Sequence, residues 1–333
     1  MGDEKGAADG LEGNIGLPDW LAAIGELTAG LNASGVLALL VGLGRSVQLP
    51  SAVFEGHAKG SPAVHMAIQT ALEAAGATGG QAGAWQTVLA GEGIVSPEAL
   101  LSAYSARNRL LEALAEGDDY WRADPELRRG IAQGVSPDPR LPASLVAMGS
   151  MVQALPEWQR RAHAGARYLE LGCGLAGGML AELQMFPTMT ATGVELAADL
   201  VAEAHARAEQ VGVADRVEFV VGDATRFDRP DSYDLCFWSQ FFFPSATRAA
   251  ALATAARCLR PDGMLGAPVR ARPDADASSD EVLDYQLDNV LFSNWGIPER
   301  NADELADEVA AAGFVEVSVV SQPPWVVVQA FKP

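Results

Sequence analysis

The chain is short of positive charge, cysteine, histidine and long apolar runs. Of its 333 residues, 23 are Lys or Arg and 43 are Asp or Glu, which leaves a net charge of −20. That balance excludes a protein whose main task is gripping phosphate backbones, since neutralising phosphates takes Lys and Arg. The three cysteines, Cys173, Cys236 and Cys258, are odd in number and far apart. They read as reduced thiols rather than a disulfide frame or a zinc site. The longest nearly unbroken apolar stretch, residues 35–43, falls well short of the roughly 20 residues of a membrane span. The opening Met1-Gly2-Asp3-Glu4-Lys5 is acidic and has no apolar h-region, so no secretory signal is expected. Gly6 stands where the myristoylation pattern wants Ser or Thr. The four histidines (His57, His65, His163, His205) and the acids are not clustered at ligand spacing, so no metal is expected. A cytoplasmic enzyme free of membrane and nucleic acid is the expectation.

Apolar residues make up 49% of the chain and charged residues 20%, as in ordinary globular proteins. At about 150 residues per domain the length predicts two domains. Residues 1–16 are Gly- and acid-rich and read as a disordered tail. Residues 17–115 read as a mainly helical, winged-helix-like domain. Ser61 and Pro62 open a helix there, and Val64, Ile68, Ala71, Leu72 and Ala75 form its apolar face. Trp85, Thr87 and Leu89 then alternate in strand fashion. The helix over 62–75 has no Lys or Arg, which argues against DNA reading and for packing against a second subunit. Residues 116–160 read as a linker: an irregular Gly-, Pro- and Asp-rich connection to 142, then a helix around 145–155.

From residue 161 the rhythm changes. Strands are predicted at 168–171, 217–221, 235–238, 264–269, 315–320 and 326–331. Helices are predicted at 197–211, 245–258 and 302–312. The alternation implies an α/β fold with a doubly wound, mostly parallel sheet. The last two strands, joined by Gln322-Pro323-Pro324, are expected to form a hairpin that puts one antiparallel strand at the sheet's end.

The sharpest signal is Tyr168-Leu169-Glu170-Leu171-Gly172-Cys173-Gly174-Leu175-Ala176-Gly177-Gly178. A strand runs into a glycine turn and then a helix, which lets backbone N–H groups approach a ligand. Gly172, Gly174 and Gly177 also satisfy the dinucleotide pattern, which fits several nucleosides. Three carboxylates narrow the choice. Glu170 precedes the turn, where it repels a pyrophosphate and suits a cation. Glu195 follows Thr192-Gly193-Val194, where it can accept from ribose hydroxyls. Asp223, in Gly222-Asp223-Ala224, can accept from an adenine amine. Together they favour a nucleoside with a positive centre and no phosphates.

These motifs, with Leu259-Arg260-Pro261-Asp262-Gly263, resemble the successive motifs of class I S-adenosylmethionine-dependent methyltransferases over about residues 166–332. The resemblance implies a Rossmann-like seven-stranded sheet and S-adenosylmethionine as cofactor. Carried over by position, Gly172, Cys173 and Gly174 approach the methionine part and Glu170 holds its amino group. Glu195 binds the ribose, Leu196 lies against the adenine, and Asp223 with Ala224 holds the adenine edge. Trp238 or Ser239 lies near the sulfonium. One departure is Ala176, where the family has its third glycine. With the N-terminal domain included, the chain resembles homodimeric small-molecule methyltransferases of bacterial secondary metabolism, whose N-terminal domain walls the substrate pocket.

Oxygen methylators of this family often place a His after the fifth strand. Here that segment reads Ala271-Arg272-Pro273-Asp274-Ala275-Asp276. The base is therefore not His, or the substrate needs none. Gln240, Tyr285 and Asp284 are the candidate catalytic residues, and Phe241 to Phe243 point to an apolar or aromatic small-molecule substrate. Two other readings stay open: bound S-adenosylmethionine serving non-methylation chemistry, and an NAD-dependent oxidoreductase.

Overall fold

The computed structural model describes residues 99, 106, 124–270, 272–273, 285–286, 289, 292–293, 295–322 and 325–333. The tail and, apart from residues 99 and 106, the winged-helix-like domain with its substrate wall and dimer contact lie outside the described residues, as does Asp284.

Three helices come first: α1 (Pro125–Val135), α2 (Pro142–Gln153) and α3 (Pro156–His163). Each has proline in its first turn, where the missing N–H costs nothing and the fixed φ already suits a helix. Asp124 caps α1 by accepting from the Glu126 amide at 2.8 Å. The irregular connection expected before Pro142 therefore holds a full helix. Its start signal is Asp-Pro, which in isolation also marks a turn.

β1 (Arg167–Leu171), α4 (Gly177–Met185), β2 (Thr190–Glu195), α5 (Ala198–Gln210) and β3 (Val217–Val221) follow. The second half holds β4 (Tyr233–Trp238), α6 (Ser245–Cys258), β5 (Leu259–Pro268), α7 (Ala302–Ala311), β6 (Val315–Gln322) and β7 (Trp325–Phe331). Residues 260–263 loop out of the β4–β5 ladder, which resumes at Leu235↔Met264. Asn301 and Glu304 form a reciprocal capping box on α7, with bonds of 2.8 and 2.9 Å.

The seven strands run in the order β3-β2-β1-β4-β5-β7-β6. The first five are parallel, and β7 is antiparallel to both β5 and β6. The expected hairpin is present, but the antiparallel strand is not at the end of the sheet. β7 inserts between β5 and β6, so β6 forms the edge. Val327 and Val328, adjacent and therefore on opposite faces, are both buried, one in each core, as an inner strand requires.

Side chains alternate between two cores, one on each side of the sheet. Tyr168, Leu235 and Met264 pack with α2, α3 and α4, including Met148, Val152, Trp158 and Leu180. Leu169, Leu171, Cys236 and Leu265 pack with α6 and α7 through Leu252, Ala255, Leu305 and Val309. Trp158 is 1% exposed and meets Tyr168 edge-on at 5.5 Å between ring centroids. Burying such a ring contributes on the order of 3 kcal/mol. Helices α2 and α3, which fall mainly in the expected 116–160 linker, thus pack into this core. The register pairs Leu171 with Val194 on one side and Trp238 on the other. The C-terminal ends of β1, β2 and β4 are therefore level, and the site lies along that edge.

Candidate active site

β1 ends in a turn that no ordinary side chain permits. Gly172 and Gly174 have φ of +76° and +52°. A Cβ at Gly172 would sit 2.9 Å from the Phe243 ring. Ala176 also takes the left-handed region, at φ +55°. It does so at a cost of about 1 kcal/mol. Gly177 is needed for a different reason: a Cβ there would lie 1.8 Å from the Pro137 carbonyl oxygen. The Gly177 amide donates to Ser136 Oγ at 3.1 Å. The α1–α2 connection thus closes directly over the start of α4.

The turn is tied to β2. The amides of Gly172 and Cys173 donate to the Val194 carbonyl at 2.9 and 3.1 Å. Glu195 accepts from the Gly174 amide through Oε2 at 3.0 Å and from the Ala197 amide through Oε1 at 2.9 Å. Burial pushes its carboxyl up, against those backbone donors. Its first role in this structure is to fasten the glycine turn to the helix start.

Glu170 is buried on β1 and accepts from Ser239 Oγ at 3.2 Å and Tyr168 Oη at 3.4 Å. Burial pushes its pKa up to about 8; the Ser239 hydroxyl lowers it, and the nearby Glu182 carboxylate raises it. Glu182 in turn accepts from Trp158 Nε1 at 2.8 Å, and burial holds it at about 7. A buried carboxylate whose recorded donors are two hydroxyls is suited to a cation. The ammonium group of a bound ligand would fit there.

At the far end, Asp223 caps the short turn Ala224–Arg226, with Oδ1 accepting from Thr225 N at 2.9 Å and Oγ1 at 2.7 Å. That leaves Oδ2 for a ligand donor. Leu196 and Val221 are large apolar side chains left 52% and 53% exposed beside it. They offer a flat base an apolar surface. Ala224 is buried. Cys173 and Trp238 are at the site by chain position only. The Cys173 thiol is buried against Gly193, and the fully buried Trp238 ring packs against Phe243 and under Arg248. Ser239 is the link between halves, since it touches Glu170 and precedes Gln240.

Gln240 is not a loose polar group. Its Nε2 donates to the Pro268 carbonyl at 3.1 Å, and its Oε1 accepts from Arg248 Nη1 at 2.8 Å. Arg248, 2% exposed, also forks onto Glu308 at 2.7 and 2.8 Å and lies 4.7 Å from the Trp238 ring centroid. This network joins the ends of β4 and β5. Tyr285 does reach a cleft there: its hydroxyl donates to Glu299, and Arg270 stacks 4.3 Å over its ring. Arg248, Arg270, Glu299 and Arg300 were not singled out from sequence. The available signal was two arginines, Arg270 and Arg272, directly after β5 in a chain poor in basic residues. His205 meets Phe219 edge-on at 4.9 Å and serves packing. Among the described residues no group of side chains is arranged to hold a metal ion, and no helix is long and apolar enough to cross a membrane.

Residues 169–263 match the family model described as a methyltransferase domain. An Escherichia coli protein called uncharacterized protein YjhP is 30% identical over 105 residues, which is 32% of this chain and 42% of that protein. The chain therefore spans less than half the length of that curated relative. Among solved structures, the pyocyanin biosynthetic protein PhzM is similar with a TM-score of 0.57, at 19% identity, over 94% of this chain and 98% of that one. An O-methyltransferase family protein from Burkholderia thailandensis is similar with a TM-score of 0.55, at 16% identity, over 95% and 94%. At such identities the likeness is one of fold. The family match concerns residues 169–263, under a third of the chain, and the fold these structures share with it is Rossmann-like.

Proposed function

We propose that the chain transfers the methyl group of S-adenosylmethionine to a small aromatic metabolite. The observation that carries this is Glu170, a buried carboxylate at the glycine turn, one hydroxyl away from the cleft after β4. Glu170 would hold the methionine ammonium, Glu195 the ribose, and Asp223 the adenine amine, with Leu196 against the base. When bound, the cofactor supplies an electrophilic methyl carbon on a sulfonium. The chain's own work is then to align an acceptor in line with that carbon and to keep water out. Alignment of this kind is worth about 7–11 kcal/mol of barrier. Ser239 and Gln240 stand between the two subsites, and the Arg248 network holds them in place. Phe241 and Phe292 line the cleft and suit a flat acceptor.

Calorimetric titration with S-adenosylmethionine, S-adenosylhomocysteine and NAD tests the reading. Micromolar binding of both adenosyl ligands, weakened at least tenfold by Asp223→Ala and absent for NAD, is the expected result. Selective NAD binding would replace this reading with the oxidoreductase. Failure of folded protein to bind either adenosyl ligand would end it.

A further inference from the structure

Glu182 is a buried acid that the methyl-transfer chemistry does not call on. It lies on α4, in the core that α2, α3 and α4 make with one side of the sheet. Its Oε2 accepts from Trp158 Nε1 at 2.8 Å. Trp158, on α3, meets the Tyr168 ring edge-on at 5.5 Å, and the Tyr168 hydroxyl reaches Glu170 Oε2 at 3.4 Å. Tyr168 and Glu170 are two apart on β1, so they stand on one face of the sheet. The contacts thus run unbroken from Glu182 through Trp158 and Tyr168 to Glu170, whose exposures are 1%, 1%, 2% and 7%. Packing alone has no use for the second acid, since an apolar side chain would fill its place without the cost of desolvation.

The ionisable groups around the two acids are themselves acids. Tyr168 of β1, Cys173 of the glycine turn, Glu195 of β2 and Cys236 of β4 are all within electrostatic reach of Glu170. Helix α2 has no ionisable side chain, and Glu182 is the one on α4. On α3, Arg160 and Arg161 bond Glu157, and His163 lies edge-on to Phe186. On α5, Arg207 bonds Glu203, while Arg216 bonds the carbonyls of Leu183 and Phe186. Among the described residues no guanidinium or ammonium bonds Glu170 or Glu182. A charge on either acid therefore faces a second acid instead of a counter-ion, and like charges disfavour one another's ionisation.

We infer that Glu182 and Trp158 are positioning residues for Glu170: from the floor of the same core they fix, through Tyr168, how that carboxyl meets the ammonium of a bound nucleoside, a role that rests on the methyl-transfer reading for its ligand. Burial first, and the Glu182 carboxylate after it, keep the proton on Glu170 in the empty chain, against the Ser239 hydroxyl. The Trp158 N–H favours the ionised form of Glu182 and so sustains the charge that Glu170 feels. An arriving ammonium supplies the missing counter-ion, and the Glu170 proton leaves for solvent. The cradle is thus neutral when empty and charged when filled. Neither Glu182 nor Trp158 needs to touch the ligand.

The test follows carboxyl-labelled glutamate in the full chain by carbon-13 NMR over about pH 5 to 9 without ligand, with Glu170→Gln identifying the Glu170 signal. Glu182→Gln keeps an acceptor for Trp158 Nε1 and removes the charge, so the Glu170 midpoint falls by about one pH unit. Trp158→Phe keeps a ring against Tyr168 but takes the donor from Glu182, and moves the midpoint the same way by less. In the wild-type chain the Glu182 signal shifts as Glu170 titrates. An unmoved Glu170 midpoint in Glu182→Gln, or two independent titrations in the wild type, would overturn the inference, the second whether or not the variants fold. Binding of S-adenosylhomocysteine is read separately by calorimetry over the same pH range. In Glu182→Gln the rise of affinity with pH sets in about one unit earlier, and the release at pH 7 drops from near one proton to about half. A loss of affinity by the same factor at every pH would show packing alone and overturn the inference too. Coupled titration in a chain that binds no S-adenosylhomocysteine would support the pairing of the two acids and sink the methyl-transfer reading instead.

Discussion

Three carboxylates end one half of the sheet: Glu170 on β1, Glu195 on β2 and Asp223 just past β3. The elements after β4 and β5 on the other half gather Arg248, Arg270 and Arg300 instead. The two halves share one sheet edge and one pair of cores, yet among the described residues one gathers carboxylates and the other guanidiniums. A cationic ligand suits the carboxylates, the guanidiniums serve the packing of the loops, and Ser239-Gln240 is the short stretch between. The contrast also separates two uses of a buried ion. Glu170 is buried without a cation, so burial raises its pKa and holds it ready for one. Arg248 is buried with its counter-ion, so it fixes structure.

The arginine half should yield most when broken. Arg248→Met removes the guanidinium from Glu308, Gln240 and the Trp238 face together. Losing one partner of a buried pair costs about 3 kcal/mol or more, to be read by urea unfolding. If the network positions the β4–β5 loops, kcat falls while S-adenosylhomocysteine affinity is unchanged. Equal loss of both would erase the boundary between the halves.

On the acid half, Glu170→Gln should weaken S-adenosylmethionine binding about 10–100-fold. Its proton signature is more telling. With a pKa of about 8, Glu170 is mostly protonated at pH 7 in the free protein. A bound ammonium favours the carboxylate, so binding releases close to one proton and tightens as pH rises toward 8. Calorimetry in buffers of different ionisation heat measures that release, and Glu170→Gln should abolish it.

Glu182 gives the smallest effect. Its folded pKa of about 7 lies above the usual carboxylate value of 4.5, so between those pH values the folded chain holds more protons than the unfolded one. Its contribution to stability therefore falls as pH rises from about 4.5 to 7. Unfolding midpoints measured from pH 5 to 8 should fall, and Glu182→Gln should flatten part of that slope. An unchanged slope would show that Glu182 does not carry that pH dependence.

The carboxylate half was legible in the sequence because its residues follow strand ends at fixed offsets from a glycine turn. β3 and α6 match their sequence-read bounds, and the other elements of the sheet domain differ by a few residues at their ends. The arginine half was not legible. Arg248 is one basic residue on an alanine-rich helix, and nothing in its neighbours points to Glu308 sixty positions away. Gln240 was read as a candidate catalytic residue, whereas folding commits both of its polar atoms. Helix α1 was missed because Asp-Pro in a Gly- and Pro-rich stretch reads equally as a turn.

By itself the sequence determined the alternation of strands and helices, the glycine turn and the three acids, since period, glycine and chain offset are local properties. Only the tertiary structure decided that β7 slips between β5 and β6, that Glu195 clamps the turn, and that Arg248 meets Gln240 and Glu308. Those outcomes depend on pairings between residues far apart in the chain, which are settled by burial and by satisfying each buried polar group together, not by any one segment.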